Sequence, residues 1–265
     1  MEEATAFVPG HLAGFSGVHR ADDPTAAGAA GGGIVVSDGV RVTVGPTEES
    51  DLVVELNGEP VGFGAVSRVL KALRVPGARV EAETPLEPGT GFGVTGAFAL
   101  GTALAANAAF GRALSEDELV TVAHGAEVHP LRLEPGAPAH NRIDGIPERC
   151  RVEYLVLDGP AELDAELPPP EESELRSGAA GRALSAVVQE PTLPVLMRAS
   201  RRFSREADLL TESAREVVET VNRSGGEAAV AAGGPTVFAL GSALSDAGYE
   251  AERTEVDVAG ARMAE

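Results

Sequence analysis

The feature that most constrains this chain is a glycine-rich stretch, Pro85-Leu-Glu-Pro-Gly-Thr-Gly-Phe-Gly-Val-Thr-Gly-Ala97, that runs directly into an Ala- and Leu-rich segment ending at Phe110. Thr95 to Phe110 is apolar nearly all round at helical spacing, and such a helix is buried on most sides. The rest of the chain must fold around it. Backbone N–H groups of the loop and the positive end of the helix could together hold a phosphate. The loop is not a Walker A motif, which ends in Gly-Lys-Ser/Thr, because no Lys is present. Gly91 to Gly96 matches GxGxxG literally, but a Rossmann unit needs a strand feeding straight into the first glycine and another strand after the helix. Pro85 and Pro88 interrupt the approach, and a further helical pattern follows Phe110. A glycine-rich connection without a ligand is the other reading this pattern allows.

Composition narrows the partners. The formal net charge is -20 and Lys71 is the only lysine beside 20 arginines. Nucleic-acid backbones are bound by clustered cations, so nucleic acid is not an expected partner. Acid excess with almost no Lys suggests a halophile, in which molar salt screens self-repulsion and repulsion of anionic ligands alike; an ordinary acidic bacterial protein is the alternative. With 43% hydrophobic residues, 4% aromatic and no Trp, the core must consist of Ala, Val and Leu. Cys150 is the lone cysteine, which excludes an intrachain disulfide and fits a reducing cytoplasm. No run approaches 18 apolar residues, and Met1 to Thr5 carries acids where a signal peptide carries positive charge. The expectation is a cytoplasmic protein that does not span a membrane.

Along the chain, Val40–Val44, Leu52–Leu56, Arg79–Glu83 and Val152–Leu157 read as strands, with Asn57-Gly58 a turn signal. Phe63–Leu73 has helical spacing. Ser115 with Glu118 forms a capping-box pattern opening a helix to about Val128, which places His124 and Glu127 on one face. Asp158–Glu172 is acidic and interrupted by prolines, and the domain boundary is expected there. Helical patterns follow at Ser173–Gln189, Pro194–Leu210 and Glu212–Asn222, then two β-leaning runs, Glu227–Ala232 and Tyr249–Val258, flanking a short helix.

The Pro85–Ala97 stretch resembles the ATP-binding motif of GHMP small-molecule kinases, and Phe7-Val-Pro-Gly-His-Leu-Ala-Gly-Phe15 resembles the opening of the archaeal pantoate kinases of that superfamily. Ala123-His-Gly-Ala-Glu-Val128, Leu133-Glu-Pro-Gly136 and Gly233-Gly-Pro-Thr-Val-Phe-Ala-Leu240 add to the resemblance, which spans nearly the whole chain. It implies an α+β, two-lobed GHMP kinase fold, with an N-terminal mixed sheet-and-helix domain (1–158) and a C-terminal ferredoxin-like, helix-rich domain (159–265). It implies ATP with Mg²⁺ in the cleft, phosphorylation of pantoate to 4-phosphopantoate in coenzyme A synthesis, and a homodimer.

By the motif match, Pro88, Gly89, Gly91, Phe92, Gly93, Thr95 and Gly96 would bind ATP, and Thr95 and Glu127 would hold Mg²⁺. His124, Arg132, Thr192 and Gly28 would meet the substrate. Read from the residues alone, Glu127 and Arg132 could equally be solvated surface charges, and His124 a capping or core histidine. Two departures stand against the family pattern. After Val128 the family's Gly-Leu-Gly-Asp segment, with its catalytic aspartate, is absent. Ala27-Gly-Ala-Ala-Gly-Gly-Gly33 replaces Thr-Gly-Ser-Arg-Gly-Ala-Gly, so that Ala29 and Ala30 stand for a substrate-site Ser and its neighbouring Arg. The alternatives are a catalytically impaired pseudokinase, a kinase for another small hydroxy acid, and a binding module without kinase activity.

Overall fold

The computed structural model describes residues 2–19, 28–47, 51–128, 145–157, 159–160 and 170–264. Arg132, the Leu133–Gly136 motif, the side chain of Glu127 and most of the acidic Asp158–Glu172 stretch lie outside the described residues.

Two long antiparallel strands, β1 (Ala4–His19) and β2 (Gly28–Gly45), begin the first sheet. Only Val40–Val44 of this pair was legible, because alternation is clear there, whereas Gly31-Gly32-Gly33 lies in a type of sequence that strands disfavour. The structure supplies the reason for the glycines. A Cβ on Gly32 would stand 2.6 Å from the ring of Phe15, and one on Gly33 would overlap the Leu12 carbonyl, so the bare backbone lets β1 press against β2. Register shifts at Pro9/Gly10 and Ala13/Phe15 bend β1, as bulges do.

β3 (Leu52–Leu56) turns through Asn57-Gly58 into β4 (Glu59–Pro60). Both turn residues have positive φ, 52° and 81°, the conformation that makes Asn-Gly a hairpin signal. Helix α1 (Gly64–Ala72) carries the chain across to β5 (Ala78–Glu83), which runs parallel to β3. The sheet order is β10-β1-β2-β5-β3-β4, where β10 (Arg262–Met263) is contributed by the C-terminus.

The apolar segment forms α2 (Val94–Ala109), which lies across β1 and β2 with ten of its residues buried. A Cβ on Gly101 would stand 2.5 Å from a methyl of Val42, so helix and sheet meet at backbone distance. α3 (Glu116–Val128) packs on α1 and α2. Its capping box is formed as expected: Ser115 N donates to Glu118 at 2.8 Å and Glu118 N to the Ser115 hydroxyl at 3.4 Å.

The second sheet contains β6 (Arg151–Val156), β7 (Ala228–Val230), β8 (Thr236–Leu240) and β9 (Glu252–Glu255) in the order β7-β8-β6-β9, all antiparallel. Helices α4 (Pro170–Gln189), α5 (Leu193–Glu206) and α6 (Glu212–Arg223) lie between β6 and β7, and α7 (Ala243–Asp246) between β8 and β9. That is the β-α-β-β-α-β ferredoxin-like plan with its first crossover enlarged to three helices.

The expected boundary at 158/159 falls just after β6, and strands from both sides of it pair with one another. A division at 158/159 would cut β6 from the two strands that flank it, β8 and β9, while β10 returns to the first sheet. Proline and acid content marked a connection, but strand partners lie far away in sequence. Thr236–Leu240 was read only as a motif, yet it is a strand with four of its five residues buried.

Helices α4 and α5 also pack on β1, so one continuous core runs from the first sheet through Phe15, Phe98 and Phe203. Its buried residues are mostly Ala, Val and Leu, as composition required. A smaller cluster joins α6 to β7, β8 and Leu244. None of the described helices is long and apolar enough to cross a membrane.

Candidate active site

β5 ends at Glu83, and the chain then enters the glycine loop under tight control. Asn57 clamps Thr84 in both directions, its amide donating to the Thr84 carbonyl at 3.0 Å and its oxygen accepting from Thr84 N at 2.9 Å. Leu86 N donates to the Thr84 hydroxyl, and the Thr90 hydroxyl to the Glu87 carbonyl at 2.6 Å. Gly89, Gly91 and Gly93 have φ of 83°, 102° and 64°, where a side chain is strained. Phe92 between them is buried, with its ring 4.8 Å from that of Tyr154 on β6 in an edge-on contact.

Three elements press on the loop. From β1, His11 N donates to the Phe92 carbonyl at 3.0 Å. Tyr154 meets Phe92 from β6. From the start of β8, the Thr236 hydroxyl donates to the Thr90 carbonyl at 2.5 Å, and a Cβ on Gly91 would stand 3.1 to 3.2 Å from Ala231 and Gly234 of the β7–β8 turn. Ala232 N ties that turn to β1 through the Ala13 carbonyl at 2.7 Å. The loop is thus seated at the junction of both sheets.

Gly93 is the N-cap of α2 and provides no side-chain cap, and no acid occupies the first turn. The first intrahelical bond runs from Ala97 N to Gly93 O at 3.0 Å. The preceding N–H groups, of Val94, Thr95 and Gly96, have no intrahelical acceptor by the geometry of a helix start. These donors and the helix dipole suit an anion, and the three glycines supply the left-handed backbone by which the loop reaches the helix start. An open cleft of about 500 Å³ borders the start of the loop at Thr84 and Pro85, with Asp38, Arg41 and Glu83 among its walls.

Residues 61–136, which include this loop, α2 and α3, match the family model of the GHMP kinases N terminal domain. A solved structure of a phosphotransferase related to the CoA biosynthesis pathway aligns with 99% of this chain and 98% of its own, with a TM-score of 0.83 and 24% identity. The chain has the GHMP kinase fold.

Two relatives are named pantoate kinases. That of Methanospirillum hungatei is 35% identical over 134 residues, 48% of this chain and 46% of the relative, so the chain spans about half the length of that relative. That of Thermococcus kodakarensis is 26% identical over 251 residues, covering 82% of this chain and 80% of the relative.

Within the GHMP kinase fold, Pro88, Gly89, Gly91, Phe92, Gly93, Thr95 and Gly96 lie together in the loop and the first turn of α2. Phe92 turns inward, while Thr95 is half-buried. His124 lies exposed on α3, with its ring pushed below the ordinary imidazole pKa by partial desolvation. Glu127 is one turn further along α3. Thr192 is the N-cap of α5, its hydroxyl accepting from Val195 N at 3.4 Å, a local job that accounts for the residue without a ligand. Gly28 opens β2 opposite His19, at the far end of the hairpin from the loop contacts at Gly10 and His11. Asn57, Thr84, Tyr154 and Thr236, which support the loop, were not picked out from sequence. Thr236 lies inside a recognised motif and Asn57 inside a recognised turn, but neither pattern says that its side chain reaches the loop.

Proposed function

We propose that this chain transfers the γ-phosphoryl group of ATP to a hydroxyl of pantoate, giving 4-phosphopantoate. The observation that carries this reading is the uncapped start of α2 behind three positive-φ glycines, inside the segment that matches GHMP kinases. The names of the relatives suggest the acceptor.

Phosphoryl transfer of this kind depends on positioning and charge neutralisation. Pro88, Gly89, Gly91, Phe92, Gly93 and Gly96 would shape the cradle, with N–H groups at the helix start donating to phosphate oxygens. The Thr95 hydroxyl and the Glu127 carboxylate would hold Mg²⁺, a hard cation that takes oxygen ligands. Mg²⁺ bound there would neutralise charge on the transferring group. His124, Arg132, Thr192 and Gly28 would orient pantoate, Arg132 by a planar fork matched to a carboxylate. His124, with its lowered pKa, would act as a neutral donor at neutral pH.

A second reading is a nucleotide-binding protein without transfer. It is favoured by the absence of the family's Gly-Leu-Gly-Asp segment after Val128 and by Ala29 in place of Ser. Coupled ADP release in molar KCl with Mg-ATP, with and without pantoate, separates the two. Pantoate-dependent release supports the kinase. Nucleotide binding with no release supports the second reading, and loss of both binding and release overturns both.

A further inference from the structure

The parallel pairing of β3 with β5 ends with Leu56 opposite Ala82, and the chain then leaves β3 through the Asn57-Gly58 turn. Asn57 N still donates to the Ala82 carbonyl at 2.8 Å. At Thr84 the β3 backbone has turned away, and the Asn57 amide stands in for it: Nδ2 donates to the Thr84 carbonyl at 3.0 Å and Oδ1 accepts from Thr84 N at 2.9 Å. The side chain carries the hydrogen bonding of the sheet past the end of β5 and into the loop. The turn itself does not require this amide, because glycine supplies left-handed backbone as readily as asparagine does. What the amide adds lies 27 residues away in sequence. Thr84 is buried, and its hydroxyl accepts from Leu86 N at 3.0 Å. Leu86 is buried against β1, where a Cβ on Gly10 would stand 2.6 Å from its methyl. The next residue of β1, His11, holds the Phe92 carbonyl through its backbone N–H. Asn57 is therefore the first link in a chain of contacts that runs from the entrance of the loop to the residue before the α2 N-cap.

We propose that Asn57 is a positioning residue for the glycine loop: through Thr84 and Leu86 it sets how the loop presents its N–H groups to a nucleotide, without touching the nucleotide itself. The inference rests on the kinase reading above. A loop held this way meets the phosphates in the ground state and the transition state alike. Loss of the clamp therefore removes uniform binding and raises the KM for ATP, with kcat and the KM for pantoate nearly unchanged. A residue that served only the fold would behave otherwise. Its loss would lower the unfolding midpoint and the amount of active enzyme and leave the KM for ATP where it was.

The test is Asn57→Gly in the whole chain, because glycine keeps the left-handed turn and deletes only the clamp. The Kd for Mg-ATP, read by calorimetry, and the KM for ATP should both rise about three- to tenfold, with kcat and the KM for pantoate within about twofold of wild type. Hydrogen exchange of the Thr84 amide in wild type tests the same idea without depending on how the variant folds. If the clamp favours nucleotide, nucleotide must favour the clamp by the same factor, so saturating Mg-ATP should slow that exchange about three- to tenfold. An Asn57→Gly protein that binds Mg-ATP as wild type does, or a Thr84 amide whose exchange ignores nucleotide, overturns the inference and leaves the kinase reading standing. Absence of any nucleotide binding by wild type overturns both.

Discussion

Gly93 combines a left-handed φ of 64° with a neighbouring ring that leaves no room for a Cβ. Gly93→Ala should therefore cost about 1 to 2 kcal/mol in stability and displace His11 from the helix start. Chemical denaturation and Mg-ATP titration would read the two effects. Glu153 raises a different single-residue question, because its carboxylate is fully buried yet satisfied by Ser245 N at 2.9 Å and the Ser245 hydroxyl at 2.7 Å. Glu153→Ala leaves that half-buried N–H without its acceptor and empties the space of a fully buried side chain, and should destabilise by about 2 kcal/mol, with denaturation as the measurement. His11 and His124 give a pH dependence of definite sign. Desolvation lowers both below 6.5 in the folded chain, so the unfolded chain takes up protons first as pH falls. Their contribution to stability is present above about 6.5 and is lost below it. In His124→Gln the acid-side decline of the urea midpoint should be shallower than in wild type.

At the scale of elements, the question is what holds the loop. Thr236 reaches from β8 to the Thr90 carbonyl across 146 residues of sequence, so Thr236→Val removes a hydrogen bond that aligns the loop without touching the phosphates. The expected result is a rise of about three- to tenfold in the KM for ATP with a smaller change in kcat. Thr192 tests local structure against ligand binding. As an N-cap its loss should cost about 1 kcal/mol in Thr192→Ala, and Thr192→Asp should recover that stability. If the KM for pantoate returns with stability, capping is the whole of its role; if it stays raised, the hydroxyl meets substrate.

For the whole molecule, a net charge of -20 means that folding concentrates repulsion. Screening shortens to about 3 Å at 1 M salt, and the thermal midpoint should rise as KCl is raised from about 0.1 to 1 M. The same scale includes the segment missing after Val128. Inserting Gly-Leu-Gly-Asp there should raise pantoate-dependent turnover by about 10²- to 10⁴-fold if a positioned base is what the chain lacks. Unaltered turnover would mean that another group, or none, does that work.

Much of this was legible in the residues. The burial of α2, the Ser115–Glu118 cap, the Asn57-Gly58 turn and the glycine loop before the buried helix all follow from φ preferences, side-chain periodicity and capping chemistry, which act within a few residues. Other features were decided only when the chain closed on itself. β6 belongs to the second sheet because β8 and β9 flank it, and the Gly31–Gly33 tract is a strand because β1 needs a partner without side chains in its way. The His11 imidazole of β1 came to rest on Gly93, 82 positions away in the sequence. Such pairings depend on shape and on what neighbouring elements leave unfilled, and neither is set by any stretch of sequence read alone.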